Sequence, residues 1–189
     1  MIIAHICGPT GSGKSTLGKK IKRAFPSIII YDLDDLYNDL PKKYNEITNK
    51  VKKKKYLIKY ILKIFTKLCN KYSSKKIIFV GNNSITIERD FSDQYYFDID
   101  AKYKYFIDID KDIVLKRRFT RHIEFMLNNI DHYFTKAVKT GKLTIDIDLW
   151  KKKINAPYST NYYKIKNYKF MDNESIYKDI YKKYFVIKI

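Results

Sequence analysis

Cysteine, histidine, arginine and glycine are all scarce in this chain of 189 residues, and each shortage excludes something. Two cysteines cannot staple a small secreted scaffold. Cys7 and Cys69 both fall at apolar positions, as small buried hydrophobes in a reducing compartment do. Three histidines, His5, His122 and His132, show no metal-ligand spacing. His5 reads as a buried strand residue and the other two as helix surface. No apolar run approaches the ~20 residues that a membrane span needs, and no targeting segment is recognisable. A cytosolic protein without membrane contact is therefore expected. No internal repeat and no linker rich in Gly, Ser or Pro divides the chain, whose length suits one ordinary domain able to bury roughly 70% of its unfolded surface.

Where the few glycines lie is informative. Three of the six fall within residues 8–15, Gly8-Pro9-Thr10-Gly11-Ser12-Gly13-Lys14-Ser15, a complete G-x-x-x-x-G-K-[ST] pattern. It follows a short apolar run, 2–7, and precedes a helical pattern, 16–25, the context that gives the motif its meaning. Gly8, Gly11 and Gly13 let the backbone turn its N–H groups onto phosphate oxygens. A helix opening at Thr16 presents its positive dipole end to the anion. Lys14 can reach β and γ phosphates, and the Ser15 hydroxyl can ligate Mg²⁺.

Acidic residues are also outnumbered: 20 against 39 basic ones, a net charge of +19. Such a surface attracts phosphate polymers. Only five of the basic residues are arginine, however, while Lys, Ile, Asn and Tyr abound. All four have codons built from A and U alone, so an AT-rich genome yields the same balance without a polyanion partner.

The remaining pattern alternates strands and helices. Short apolar runs at 28–31, 76–81, 104–109 and 168–171 predict further strands. An apolar stripe over 47–72 predicts a long helix, with the Lys52 to Lys55 run off that stripe as a solvated face. Asp110 is placed to cap a helix from about residue 111 to 127, with continuation to 138 conceivable, and Asp172 or Asn173 to cap one over 174–184. Residues 140–161 carry no readable pattern. Alternation of this kind predicts crossover units, hence a parallel sheet of about five strands between two helical layers.

Two side-chain clusters complement the loop. Asp32, Asp34 and Asp35 follow the second strand, at the ligand edge of an open parallel sheet. On an extended chain Asp32 and Asp34 would share a face. A phosphoryl transferase needs one carboxylate to organise Mg²⁺ and another to orient and deprotonate the acceptor. The alternative is that these acids merely cap the next helix. The third strand ends in Gly81-Asn82-Asn83 without an acid, so the metal role falls to Asp32, Asp34 or Asp35, unless Asp108 or Asp110 fills it. Arg117, Arg118 and Arg121 gather three of the five arginines on one helix, where spacings of three and four share a face. Their planar forks suit a transferring phosphoryl group better than lysine does.

Taken together, the loop with Leu17-Gly18 after it, Asp32-x-Asp34, the long helical insertion and the arginine-bearing helix resemble the small P-loop kinases. That group includes nucleoside, nucleoside monophosphate, shikimate and gluconate kinases. The resemblance implies a P-loop NTPase fold in one domain over 1–189, with an acceptor-binding insertion at about 36–74 and a lid at about 117–140. It implies residues 8–16 as the ATP site, Ser15 and Asp32 at Mg²⁺, and Lys14, Asp34, Asp35, Arg117, Arg118 and Arg121 in catalysis. The glycine triplet that shikimate kinases carry after the third strand is replaced by Gly81-Asn82-Asn83-Ser84. Paired aspartates and spaced arginines are also similar to the kinase domain of phage polynucleotide kinase. The composition and the Ile107-Asp108-Ile109-Asp110 run look most like P-loop kinases of giant DNA viruses. The acceptor expected is a nucleoside or nucleotide, with a 5′-hydroxyl polynucleotide or a non-catalytic ATP-binding role as alternatives; the sequence leaves the oligomeric state open.

Overall fold

A computed structural model describes residues 1–86, 94–131 and 160–185. Two compact units divide the chain, Met1–Asp108 with Ser159–Ile189, and Ile109–Tyr158. Among the described residues no helix is long and apolar enough to cross a membrane.

The first unit is built on a five-stranded sheet of β1 (Ile2–Cys7), β2 (Ile29–Asp32), β3 (Ile77–Val80), β6 (Tyr103–Ile107) and β7 (Lys169–Met171), in the order β2-β3-β1-β6-β7. Every pairing is parallel. Parallel strands buried on both faces read as continuous apolar runs, which is why β3 is Ile-Ile-Phe-Val, buried throughout. Between β3 and β6 lies a short antiparallel pair, β4 (Ser84–Ile85) with β5 (Tyr95–Tyr96), absent from the sequence pattern because two-residue strands carry no periodicity.

Alternation of side chains across the sheet assigns the helices to its faces. On one face α1 (Lys14–Ala24) meets Ile30 and Val80 through Gly18, where an added Cβ would lie 3.0 Å from Ile30 Cγ2 and 3.3 Å from Val80 Cγ1. The last helix of the unit, α6 (Asn173–Phe185), packs with α1, and its Asp179 accepts a hydrogen bond from Tyr105 Oη at 2.8 Å. On the other face α3 (Lys50–Lys71) buries Leu57 and Ile61, and the Phe65 ring packs at a tilt against Phe79 and Phe97 at 5.2 and 5.1 Å between ring centroids. A short helix α5 (Asn161–Ile165) sends Tyr163 into a cluster with Cys7, Phe106 and Tyr168.

The single helix expected over 47–72 is present, beginning three residues later than expected. A separate turn, α2 (Lys42–Glu46), ends where Ile47 turns extended, and α3 begins afresh at Lys50 because the Asn49 side chain accepts the Lys52 N–H at 3.0 Å. An asparagine cap competes well with helix continuation. The second unit contributes α4 (Lys111–Asn128), capped as expected by Asp110, which accepts from the N–H groups of Asp112 and Ile113. Expectations about residues 132–159, including His132 and the far part of the 117–140 lid, lie outside the described residues.

Candidate functional site

Register places the site. Asp32 pairs with Val80 across β2 and β3, and Val80 with Ile6 across β3 and β1. Asp32, Gly81 and the loop after Cys7 therefore emerge side by side at the carboxyl edge. There α1 leaves β1 on one face, while the chain after β3 turns to the other, since Ile85, Phe97 and Ile99 join the α3 cluster. Divergence of neighbouring connections opens the crevice in which open α/β sheets bind ligands.

In residues 8–15 the backbone does what the glycines allow. Gly8, Gly11 and Gly13 all have positive φ, 152°, 90° and 93°. Ser12 N–H closes a turn onto Pro9 O at 3.0 Å. A Cβ on Gly8 would lie 3.0 Å from both Ile107 Cβ and Ser12 Oγ, so a larger residue would crowd both. Gly13 caps α1 from the left-handed region without a side-chain acceptor, and no acid occupies the first turn. The positive end of the helix thus stays open to an external anion. Lys14 Nζ folds back over the loop, donating to Gly8 O at 2.9 Å and Pro9 O at 3.1 Å. Ser12 Oγ is fully buried and has no hydrogen-bond partner among the described residues. Such an orphaned hydroxyl beside a cradle of glycines fits an anion as its missing partner.

Asp32 reaches this loop directly: Ser15 Oγ donates to Asp32 Oδ2 at 3.1 Å. Hydroxyl and carboxylate form an all-oxygen donor pair of the kind that hard cations such as Mg²⁺ take. The other oxygen, Asp32 Oδ1, accepts the Asp34 N–H at 3.1 Å and caps a 3₁₀ helix over Leu33–Tyr37. Capping and loop contact are thus carried by two oxygens of one carboxylate.

That 3₁₀ turn corrects the extended geometry expected for the acids. Because the chain coils directly after Asp32, Asp32 and Asp34 do not share a strand face, and Asp34 and Asp35 take successive positions around a turn instead. Asp35 Oδ1 accepts from Asn38 Nδ2 at 3.1 Å and so serves the turn itself. Asp34 is solvent-exposed yet crowded by surrounding protein. Desolvation first, then the charge of Asp32, pushes its pKa up, while Lys14 pulls it down. Asp34 therefore lies within electrostatic reach of both the metal candidate and the loop lysine. Asp110 is engaged in its helix cap, and it is the Asp32 carboxylate that accepts from Ser15.

Several supporting residues escaped the sequence reading. Asn82 Oδ1 lies 3.4 Å from Gly8 N, and Asn173 Nδ2 donates to Ser12 O at 2.8 Å, tying the loop to β3 and α6. His5 is buried as expected, and its partners explain why a histidine is there. Gly81 O can only accept, so Nε2 carries the proton and donates to it at 2.9 Å; Nδ1 then accepts from Tyr168 Oη at 2.6 Å. Burial holds this imidazole neutral, its pKa lowered to about 4. Gly81, so anchored, keeps φ at 124°, and a Cβ there would lie 3.1 Å from Leu33 N and 3.3 Å from Asp32 Oδ1. Only the strand-end position of Gly81-Asn82-Asn83 hinted at these contacts.

Arg117, Arg118 and Arg121 all lie on α4, in the second unit, with Arg117 and Arg121 exposed one turn apart. Lys52 and Lys55 are exposed on α3, and Lys53 and Lys54 half-buried, consistent with a solvated face.

No protein-family profile matches the chain, and no curated protein matches it. Among solved structures the chain is similar to an uncharacterized protein from Eubacterium ventriosum ATCC 27560, with a TM-score of 0.45 and 17% identity over 96% of this chain and 97% of that one.

Proposed function

We propose that the chain is an ATP- and Mg²⁺-dependent phosphotransferase of the P-loop NTPase fold, acting on a small acceptor, a nucleoside or nucleotide. The observation that carries this reading is the contact of Ser15 Oγ with Asp32 Oδ2 beside a glycine-lined loop and Lys14. Loop backbone from Gly8 to Thr16 and the Lys14 ammonium bind the phosphates, and Ser15 and Asp32 hold the cation. Bound ATP·Mg²⁺ supplies the activated phosphoryl group and neutralises part of its charge. Asp34 orients the acceptor hydroxyl and accepts its proton, a task suited to a carboxylate with a raised pKa. Asp35 shapes the turn that presents it. Arg117, Arg118 and Arg121 neutralise the transferring group from the lid. Turnover of ATP with a panel of nucleosides and nucleotides tests the reading. Tight ATP binding with no transfer to any acceptor would favour a non-catalytic ATP-binding module.

A second reading has its own observation. Helix α3 contains no acidic residue, and Lys52, Lys55, Lys59, Lys63, Lys67 and Lys71 are all exposed along it. At 1.5 Å rise per residue this ridge runs for roughly 28 Å, the footprint of a polyanion track and hence of a 5′-hydroxyl polynucleotide acceptor. Phosphorylation of an oligonucleotide, with affinity falling steeply in salt, would favour it over the small acceptor.

A further inference from the structure

A loop that binds phosphate needs its N–H groups free and its carbonyls turned away, because a carbonyl oxygen facing an anion repels it. Within residues 8–13 the carbonyls of Gly8, Pro9, Ser12 and Gly13 are already engaged. Lys14 Nζ donates to Gly8 O at 2.9 Å and to Pro9 O at 3.1 Å, and Pro9 O also takes the Ser12 N–H at 3.0 Å. Gly13 O accepts the Leu17 N–H at 2.9 Å as the first bond of α1. Ser12 O accepts from Asn173 Nδ2 at 2.8 Å. Of these four, Ser12 O alone is held by a residue from beyond the loop and its helix. Asn173 lies 161 residues further along the chain, at the start of α6.

Helix capping does not account for an asparagine at this position. Asp172 caps α6, its Oδ1 accepting the N–H groups of Glu174 and Ser175, both at 2.9 Å. Asn173 Oδ1 is buried and has no hydrogen-bond partner among the described residues, and Ser12 Oγ, on the other residue of the contact, is in the same condition. A carbonyl can only accept, so the amide nitrogen must face Ser12 O, and the amide cannot turn over without setting two acceptors together. The contact therefore leaves a buried acceptor unpaired, which native structures seldom do. What it fixes is a direction. Ser12 C=O and Gly13 N–H belong to one trans peptide plane and point opposite ways. Holding Ser12 O towards α6 aims the Gly13 N–H away from α6. Half a turn of that plane would exchange the donor for an acceptor, and Gly13, at φ 93° and without a Cβ, offers little steric resistance to it.

We propose that Asn173 is a positioning residue for the phosphate loop, holding the Ser12–Gly13 peptide with its N–H towards the bound phosphate. This rests on the reading of residues 8–16 as the ATP site and adds to it a residue from the far end of the chain. The test is calorimetric titration of the full chain with ATP·Mg²⁺ and, separately, with inorganic tripolyphosphate. Asn173→Ala is expected to weaken both alike, about fivefold, the effect of one hydrogen bond, because the loss lies at the phosphates. Its thermal midpoint should change little, since the substitution also removes the unpaired oxygen. In the free protein its Gly13 amide resonance should shift and broaden as the peptide gains a second orientation. Glu174→Gln, which breaks the exposed Lys20–Glu174 pair at 2.6 Å one residue away, is expected to leave both affinities unchanged. Should Asn173→Ala fail to fold, Asn173→Ser, whose side chain is too short to reach Ser12 O, must show the same loss. Unchanged affinities and an unchanged Gly13 resonance in Asn173→Ala overturn the proposal and leave the ATP site standing. Equal weakening by Glu174→Gln overturns it by exposing a general disturbance of α6. Weakening of ATP with tripolyphosphate unaffected also overturns it, assigning Asn173 to the base. A wild-type chain that binds neither ligand overturns the ATP site and the proposal together.

Discussion

Lys14 and Asp34 bear different loads, and single substitutions separate them. Lys14 is half-buried over the loop, and its ammonium donates to Gly8 O and Pro9 O there. Lys14→Ala is therefore expected to leave the fold intact and to lower phosphoryl transfer by at least ~10²-fold, the scale of other preorganised electrostatic groups. Turnover and a thermal melt on the same sample check both halves, and near-normal turnover would remove the loop's catalytic role. Asp34 and Asp35 are neighbours with unequal surroundings. Asp35 is engaged with Asn38, whereas Asp34 lies near Asp32 and Lys14. Asp34→Asn should cut kcat with little change in ATP affinity, while Asp35→Asn should retain most of the rate. Equal, wild-type turnover in both would refute an acid/base role for this turn.

Among the elements, the turn after β3 is held more tightly than its length suggests. His5 fixes the Gly81 carbonyl from below, and a side chain at Gly81 would crowd Leu33 and Asp32 from the other side. Gly81→Ala imposes a left-handed φ on an alanine and presses on the cap residue, costs on the order of 1–3 kcal/mol. A lower denaturant midpoint with a raised Mg²⁺ requirement is expected; an unchanged Mg²⁺ requirement would separate Asp32 from the metal role. Helix α4 offers a contrast with α3. If α4 is a lid, Arg121→Lys keeps the charge and loses the fork that bridges two phosphate oxygens, so kcat should fall. Lys55→Gln and Lys59→Gln on α3 should alter only the salt dependence of a polymeric acceptor. Measuring kcat and acceptor KM at low and high salt, with a nucleoside and a 5′-hydroxyl oligonucleotide, distinguishes them. A large effect on α3 with none at Arg121 would promote the polynucleotide reading.

Across the whole molecule the buried His5 couples stability to pH. Its folded pKa, about 4, lies below the usual imidazole value of 6.5, so the unfolded chain binds the proton more readily. Stability is unaffected by this group above pH 6.5, falls as pH drops from there towards 4, and levels off below. A displacement of that size corresponds to about 3 kcal/mol. Urea midpoints across this range should fall accordingly, and His5→Gln should flatten that part of the curve. A wild-type midpoint that stays constant over the range would show that the imidazole is not held neutral by burial.

The sequence by itself determined most of the elements and the residues of the loop. Short unbroken apolar runs between turn residues read as strands of a parallel sheet, Asp110 and Asp172 sit where helix caps belong, and a lysine-rich chain that spends half its glycines in one octapeptide marks that turn. These signals are local, carried by residues a few positions apart. Tertiary structure alone decided strand order and register, and hence that Asp32, 17 residues after Ser15, meets its hydroxyl. It also replaced an extended carboxylate strand by a 3₁₀ turn, because Leu33 and Leu36 are both buried in the core cluster with Phe79, a burial that an extended chain alternating its side chains would not give to residues three apart. The roles of His5, Asn82 and Asn173 depend on contacts between distant segments. Nothing in the spacing of those residues along the chain announces them, since they become neighbours only when β1, β3, β6 and β7 lie side by side.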